Sequence, residues 1–399
     1  MTPGIHLSDN IHHVNRDNFK TLEVGCDARR VRANFGAGPA GIPVEVLLEA
    51  QRDFLSHSGG LSVVEMSHRS PEYKEIHFQA MEDLRSLMNV PSTHEIIFQQ
   101  GGASTQFSAV ALNLCQTDDC VGDYVLSGEW SRKASEEAKK FCKVNIVNDQ
   151  DAPLDTSLFV NSCPKPEEFT FSKNASFFYY CDNETIHGTE YHEVLTHPNP
   201  DVPIVIDAAS NFISRPIDVS KYGVIFAGAS KNVGPAGLTI VIVRKDLLNR
   251  ASPKTPAMMH WKTLAEHSSL FNTAPTFSIY MAGLQLKWTK RLGGLEIVEK
   301  LNMKKSNLIY SVIDNSSGFY SCPVTDVASR SRMNVVFRIM GGEVELEDQF
   351  VAEAKIDNMI GLGGHSLVGG LRASLYNAVS MEACVMLARF MTNFQNKYR

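Results

Sequence analysis

The feature that most constrains this chain is a repeated change of period along it. Short apolar runs of strand length alternate with longer stretches whose apolar residues return every third or fourth position. Residues 95–100, 124–126, 143–147, 176–181, 202–206, 224–226 and 238–243 read as strands. Residues 44–55, 71–88, 105–114 and 131–141 read as helices. Strands that are apolar on both faces and separated by helices make a mostly parallel sheet with helices on each side. The expected fold class is α/β. Past this region the texture changes. Residues 333–340 and 371–375 read as strands, and 343–359 and 381–397 as helices, which predicts a smaller α+β domain. The boundary is expected within 293–305, inside or beside a long helix.

A chain of 399 residues exceeds one hydrophobic core, so two domains are expected. With 43% hydrophobic residues the chain has enough apolar surface to fold, and global disorder is excluded. No apolar run approaches the roughly 20 residues of a membrane helix. The net charge of −6 comes without a basic block, which argues against a nucleic-acid surface. The eight cysteines are irregularly spaced, contain no CxxC pair and complete no zinc set. They read as reduced thiols, no metal is assigned, and a cytoplasmic location follows as the default. Residues 1–30 are polar and lack the apolar segment of a secretory signal, so they read as an N-terminal extension.

Three segments can carry chemistry. Lys231 follows a buried strand and is flanked by small residues in Ala227-Gly-Ala-Ser-Lys231-Asn-Val-Gly-Pro-Ala-Gly237. Small neighbours admit a planar ligand, and a lysine held there can form a Schiff base with an aldehyde such as pyridoxal phosphate. Asp207 ends the strand 202–206, where α/β folds bind ligands, and can hold the pyridine nitrogen in its protonated form. Gln100-Gly-Gly-Ala-Ser-Thr105 lies between a strand and a helix, so its backbone N–H groups can face a phosphate. It carries no Gly-Lys-Ser/Thr and is not a nucleotide-triphosphate loop.

Together with Asn34-Phe-Gly-Ala-Gly-Pro39, Ser67-His68-Arg69-Ser70, Phe271-Asn-Thr-Ala-Pro-Thr-Phe277 and Val368-Gly-Gly-Leu-Arg-Ala-Ser-Leu-Tyr-Asn377, these segments resemble the phosphoserine aminotransferase family. That family belongs to class V of the fold-type I pyridoxal phosphate enzymes, and the resemblance runs from about residue 31 to the C-terminus. It implies a seven-stranded-type sheet in a large domain at 43–300 and a small domain built from 31–42 and 301–399. It implies Lys231 as the Schiff-base lysine and general base, and Asp207 as the partner of the ring nitrogen. Trp130 would stack on the ring, Thr185 would bond its phenolic oxygen, and Ala103, Ser104 and Ser230 would meet the phosphate. Asn272 and Thr273 would reach the phosphate of a neighbouring subunit, so a homodimer with shared sites is implied. Arg372 would hold the substrate α-carboxylate, a geometry that suits guanidinium. His68, Arg69 and His365 would bind the distal group. The implied reaction moves an amino group between L-glutamate and 3-phosphohydroxypyruvate.

The sequence departs from the family pattern at three places. Ser366 stands where an arginine is common, Ser230 where a glutamine is common, and the 101–106 cradle has fewer glycines. Loss of an arginine at a desolvated phosphate contact would cost ~1.5–3 kcal/mol unless another cation such as Arg332 compensates. The changes bear on the acceptor. The rival readings are a class V aminotransferase for an unphosphorylated 2-oxo acid and a non-enzymatic paralogue.

Overall fold

Seven strands, most of them buried on both faces, assemble into one sheet, in the order His94–Gln99, Thr239–Arg244, Val224–Gly228, Ile204–Asp207, Ala175–Cys181, Val121–Tyr124, Lys143–Ile146. Only Thr239–Arg244 runs against its neighbours; the other contacts are parallel. This is a computed structural model, and it describes residues 33–57, 60–148 and 155–399. The extension expected at 1–30 lies outside the described residues.

Side-chain alternation divides the core in two. Phe177, Tyr179, Val224, Phe226, Val241 and Val243 pack into one layer, under the helices Gly102–Leu114, Glu129–Ala138 and Trp261–Glu266. Phe178, Tyr180, Ile225, Ala227, Ile240 and Ile242 point to the opposite layer, under Pro71–Leu87 and Thr276–Arg291. The period of two is therefore real, but both faces are buried, so the strands read as unbroken apolar runs.

A second sheet has the antiparallel order Tyr320–Ser321, Asn334–Ile339, Gly369–Ser374, Gly363–His365. Helices Leu295–Asp314, Val344–Ile356 and Met381–Tyr398 cover it, and Phe35 from the N-terminal segment joins its core. Ala33–Asn34 pairs in parallel with Met359–Ile360. The chain turns toward this sheet at Gly293-Gly294, both left-handed, between two helices rather than inside one. The helix expected at 343–359 stops at Ile356, because residues 359–360 are taken into that short strand pair. No helix among the described residues is long and apolar enough to cross a membrane.

Candidate active site

The parallel strands all deliver their C-terminal ends to one edge of the large sheet, and the loops leaving them enclose a cavity of about 390 Å³. Ala103, Ser104, Trp130, Thr185, Asp207, Ser230 and Lys231, each expected from sequence, line this one cavity. They come from five different strand ends, so the sheet topology, and not local sequence, brings them together.

The segment expected to cradle an anion is the start of the Gly102–Leu114 helix. Gly101 precedes it with φ of 111°, and a Cβ there would lie 2.0 Å from the Thr105 hydroxyl oxygen. Only glycine can turn the chain into this helix. The Thr105 hydroxyl donates to the Gly101 carbonyl at 2.8 Å. The first N–H groups of the helix therefore face the cavity without a side-chain cap.

Lys231 reaches across the cavity. Its Nζ donates to the Thr185 hydroxyl at 2.8 Å and stands 5.9 Å from the centre of the Trp130 ring. Trp130 itself is fixed from behind. Its backbone N–H donates to the Glu184 carboxylate at 3.0 Å, and the Ser131 N–H does so at 2.8 Å. Glu184 thus caps the Glu129–Ala138 helix from another element. Burial raises its carboxyl above the ordinary range, while the bonds from Ser131 and Trp130 oppose the rise.

Asp207 is 4% exposed. Burial pushes its carboxyl up to about 6, against the Ala209 N–H bond at 2.9 Å and the nearby Lys231 charge, which both lower it. A buried carboxyl poised this way awaits a cationic partner. Arg372, buried on the strand Gly369–Ser374, donates from Nη1 to the Thr185 carbonyl at 3.0 Å, and its Nε has no partner.

Comparison with known proteins gives the family. The Aminotransferase class-V family model matches residues 32–385. The chain is 49% identical over 364 residues to the phosphoserine aminotransferase of Drosophila melanogaster, covering 90% of this chain and 98% of that one. It is 46% identical over 376 residues to phosphoserine aminotransferase 2, chloroplastic, of Arabidopsis thaliana, covering 94% and 86%. The solved phosphoserine aminotransferase from Bacillus circulans subsp. alkalophilus superposes with a TM-score of 0.86 at 40% identity, over 92% of this chain and 98% of that one. The PLP-bound phosphoserine aminotransferase from Trichomonas vaginalis gives 0.85 at 38%, over 91% and 100%.

The chain belongs to the phosphoserine aminotransferase family.

It is accordingly a pyridoxal phosphate-dependent transaminase, with the class V fold. The cavity fits that cofactor on the chemistry of its lining. It offers an uncapped helix start for a phosphate, an aromatic face, an amine, and a buried carboxyl in need of a cation. The Trp130 indole N–H is buried without a partner among the described residues, as expected of a wall built for a ligand.

Other family positions lie elsewhere in this single chain. His68, Arg69, Asn272, Thr273, His365 and Arg372 are outside the cavity lining. His68 is buried with Nε2 unpaired, and Arg69 is exposed. Asn272 donates to the Gln100 side chain at 3.1 Å, beside the cradle. His365 lies near Arg372 and Lys133; burial lowers its pKa first, and those two cations lower it further. Arg332 does not compensate for Ser366, since it is spent on Glu190 at 2.5 Å and Glu299 at 2.9 Å. Sequence reasoning missed Glu184 and Asn183, although both stand next to the expected Thr185 in Asp182-Asn-Glu-Thr185. Asn183 lines the cavity and Glu184 sets the Trp130 helix.

Proposed function

We propose that this enzyme transfers the amino group of L-glutamate to 3-phosphohydroxypyruvate, giving 2-oxoglutarate and O-phospho-L-serine. The observation that carries the reading is the Lys231 amine bonded to Thr185 in the cavity that Asp207 and Trp130 line, in a chain 49% identical to a phosphoserine aminotransferase.

Pyridoxal phosphate, when bound, supplies an electron sink for the pair left at the substrate Cα. The residues that would hold it are Ala103, Ser104 and Ser230 at the phosphate, Trp130 at the ring face, Thr185 at the phenolic oxygen and Asp207 at the ring nitrogen. Lys231 Nζ takes the proton from the substrate Cα and returns it on the other side of the transfer. The Thr185 hydroxyl keeps that Nζ pointed into the cavity beforehand. The Arg372 guanidinium, with Nε free of protein partners, holds the α-carboxylate. Trp130 closes the cavity against water on its own side.

The same reading includes a homodimer in which Asn272 and Thr273 serve the neighbouring cavity, with His68 and Arg69 at the distal group of the substrate. The exposed apolar residues Phe54 and Leu55 beside Phe277 support a subunit contact. It includes residues 43–300 as the large domain and 31–42 with 301–399 as the small one, supported by the two separate cores. A cytoplasmic location belongs to it too; imaging of the tagged full-length chain tests that against a plastid or other organelle.

A coupled assay on the purified enzyme should show strong preference for 3-phosphohydroxypyruvate over hydroxypyruvate, glyoxylate and pyruvate. Lys231→Ala should lower turnover by at least about 10³-fold and abolish the visible band of the bound cofactor. Preference for an unphosphorylated acceptor would keep the cofactor and overturn the substrate. Turnover and band unchanged in Lys231→Ala would overturn the site.

A further inference from the structure

Lys305 is buried at 3% exposure in the middle of the helix Leu295–Asp314, and among the described residues no carboxylate answers it. Its ammonium donates to three backbone carbonyls, those of Leu375 at 2.9 Å, Tyr376 at 2.9 Å and Val379 at 3.1 Å. A lysine has three N–H donors, and here each has one acceptor. All three carbonyls belong to one turn, residues 375–379, closed by the Val379 N–H bond to Tyr376.

That turn is tied to the site in two directions. It leaves the strand Gly369–Ser374, which carries Arg372, and Arg372 bonds the carbonyl of Thr185, whose hydroxyl receives Lys231. Within the turn, the Asn377 N–H donates to the side chain of Asn232 at 2.9 Å, and Asn232 is the neighbour of Lys231. Asn302, one helical turn before Lys305, donates to the Asn377 side chain at 3.0 Å and to the Ser214 carbonyl at 2.9 Å.

We infer that Lys305 is a positioning residue for transamination, whose three bonds shape the 375–379 turn so that Arg372 and the Lys231 segment stand in register for the substrate. The inference rests on the reading of Lys231 and Arg372 given above. A methylene chain of equal length could fill the space but could not gather three carbonyls to a point. An uncharged amine has only two N–H donors and presents a lone pair to the third carbonyl. Burial pulls the ammonium down to about 8. The turn therefore loses one of its three bonds as pH rises through that value. Among the described residues Cys384, on the helix Met381–Tyr398, is the one titratable side chain with a resolved effect on it. Burial holds that thiol up at about 11, so it stays neutral through the same interval.

The test compares the wild-type holoenzyme with Lys305→Met and Lys305→Arg. Steady-state constants for glutamate are measured on both sides of pH 8, and the visible band of the bound cofactor is titrated in parallel. Lys305→Met should raise KM by about tenfold or more while lowering kcat by less than about threefold, the split expected when substrate binding is misaligned. Its cofactor band should titrate at a different pH from wild type. Lys305→Arg, whose guanidinium stays charged, should restore KM to within about threefold and remove the rise in KM that wild type shows above pH 8. A folded Lys305→Met with wild-type KM and band overturns the inference. So does a wild-type KM that stays flat through pH 8, a result that needs no variant to fold. Turnover retained by Lys231→Ala would instead strike the reading of the site, in a protein where Lys305 is intact.

Discussion

Two buried polar regions of this molecule are handled in opposite ways. In and beside the cavity, polar atoms are left without partners among the described residues: the Trp130 indole nitrogen, the Arg372 Nε and both ring nitrogens of His187. A few residues away, where the small sheet meets the large one, the groups are satisfied. Asn334 donates to Ser374 and Tyr376, Asn302 bonds Asn377, and Lys305 gathers three carbonyls. An unpaired buried polar atom costs about 1–3 kcal/mol, and beside the Lys231 cavity a bound ligand can offset that cost. The satisfied network is spent on holding one sheet against the other. The difference separates residues that bind from residues that position.

The comparison extends to the aromatic core of the small sheet, which has neither unpaired atoms nor a ligand to wait for. Phe350 is fully buried, with its ring centre 5.7 Å from that of Phe337, 4.9 Å from Phe390 and 5.1 Å from Phe394. Phe350→Ala should destabilise the protein by about 3–5 kcal/mol, the range for emptying an aromatic site in a core. Thermal unfolding checks this. Below the lowered transition KM for glutamate should remain within about threefold of wild type. A large KM change at full occupancy of the folded state would break the separation between stability and binding.

Asp207 makes the converse case. Its folded carboxyl sits at about 6, above the unfolded value of about 3.9. The folded state therefore holds the proton more tightly. The stability associated with that proton is present below about pH 4 and is lost as pH rises through about 6, levelling at roughly 2–3 kcal/mol. In the cofactor-free protein, Asp207→Asn should melt higher than wild type at neutral pH and equally near pH 4, while losing most of its turnover when loaded. Equal melting at neutral pH would mean that the cavity leaves this carboxylate solvated, and the contrast between the two regions would shrink.

The strands were legible because their apolar runs are bounded by glycine, proline or polar turns, and most appear within two residues of expectation; the one expected at 124–126 lies at Val121–Tyr124, where Gly122 and Asp123 interrupt the apolar run. The Thr276–Arg291 helix was not read. Residues 279–286 are all buried, so no polar face marks a 3.6 period. Pairs such as Asn183–Glu184 and Thr189–Glu190 are too short to show any period. Lys231 and Asp207 stood out because their neighbours are small or apolar. Glu184 did not, because its carboxylate serves the backbone of a distant helix. Lys305 was hidden among exposed lysines of a helix whose other face is wet, and only the tertiary fold brings three carbonyls to it.

Ser366 gives the smallest effect and the finest test. Sequence reasoning priced a missing arginine there as a desolvated phosphate contact. In this chain Ser366 is exposed, in the loop between Gly363–His365 and Gly369–Ser374. A guanidinium restored at an exposed position gains at most about 1 kcal/mol from an ion pair, because water screens it and the long side chain loses freedom. Ser366→Arg should therefore lower KM for the phosphorylated acceptor by no more than about fivefold, leave KM for glutamate nearly unchanged, and lose its advantage at high salt. Steady-state assays at low and high ionic strength check this. A gain well above tenfold that survives salt would show that position 366 is dry in the working enzyme. It would then belong with the unpaired atoms of the cavity and not with the solvated surface.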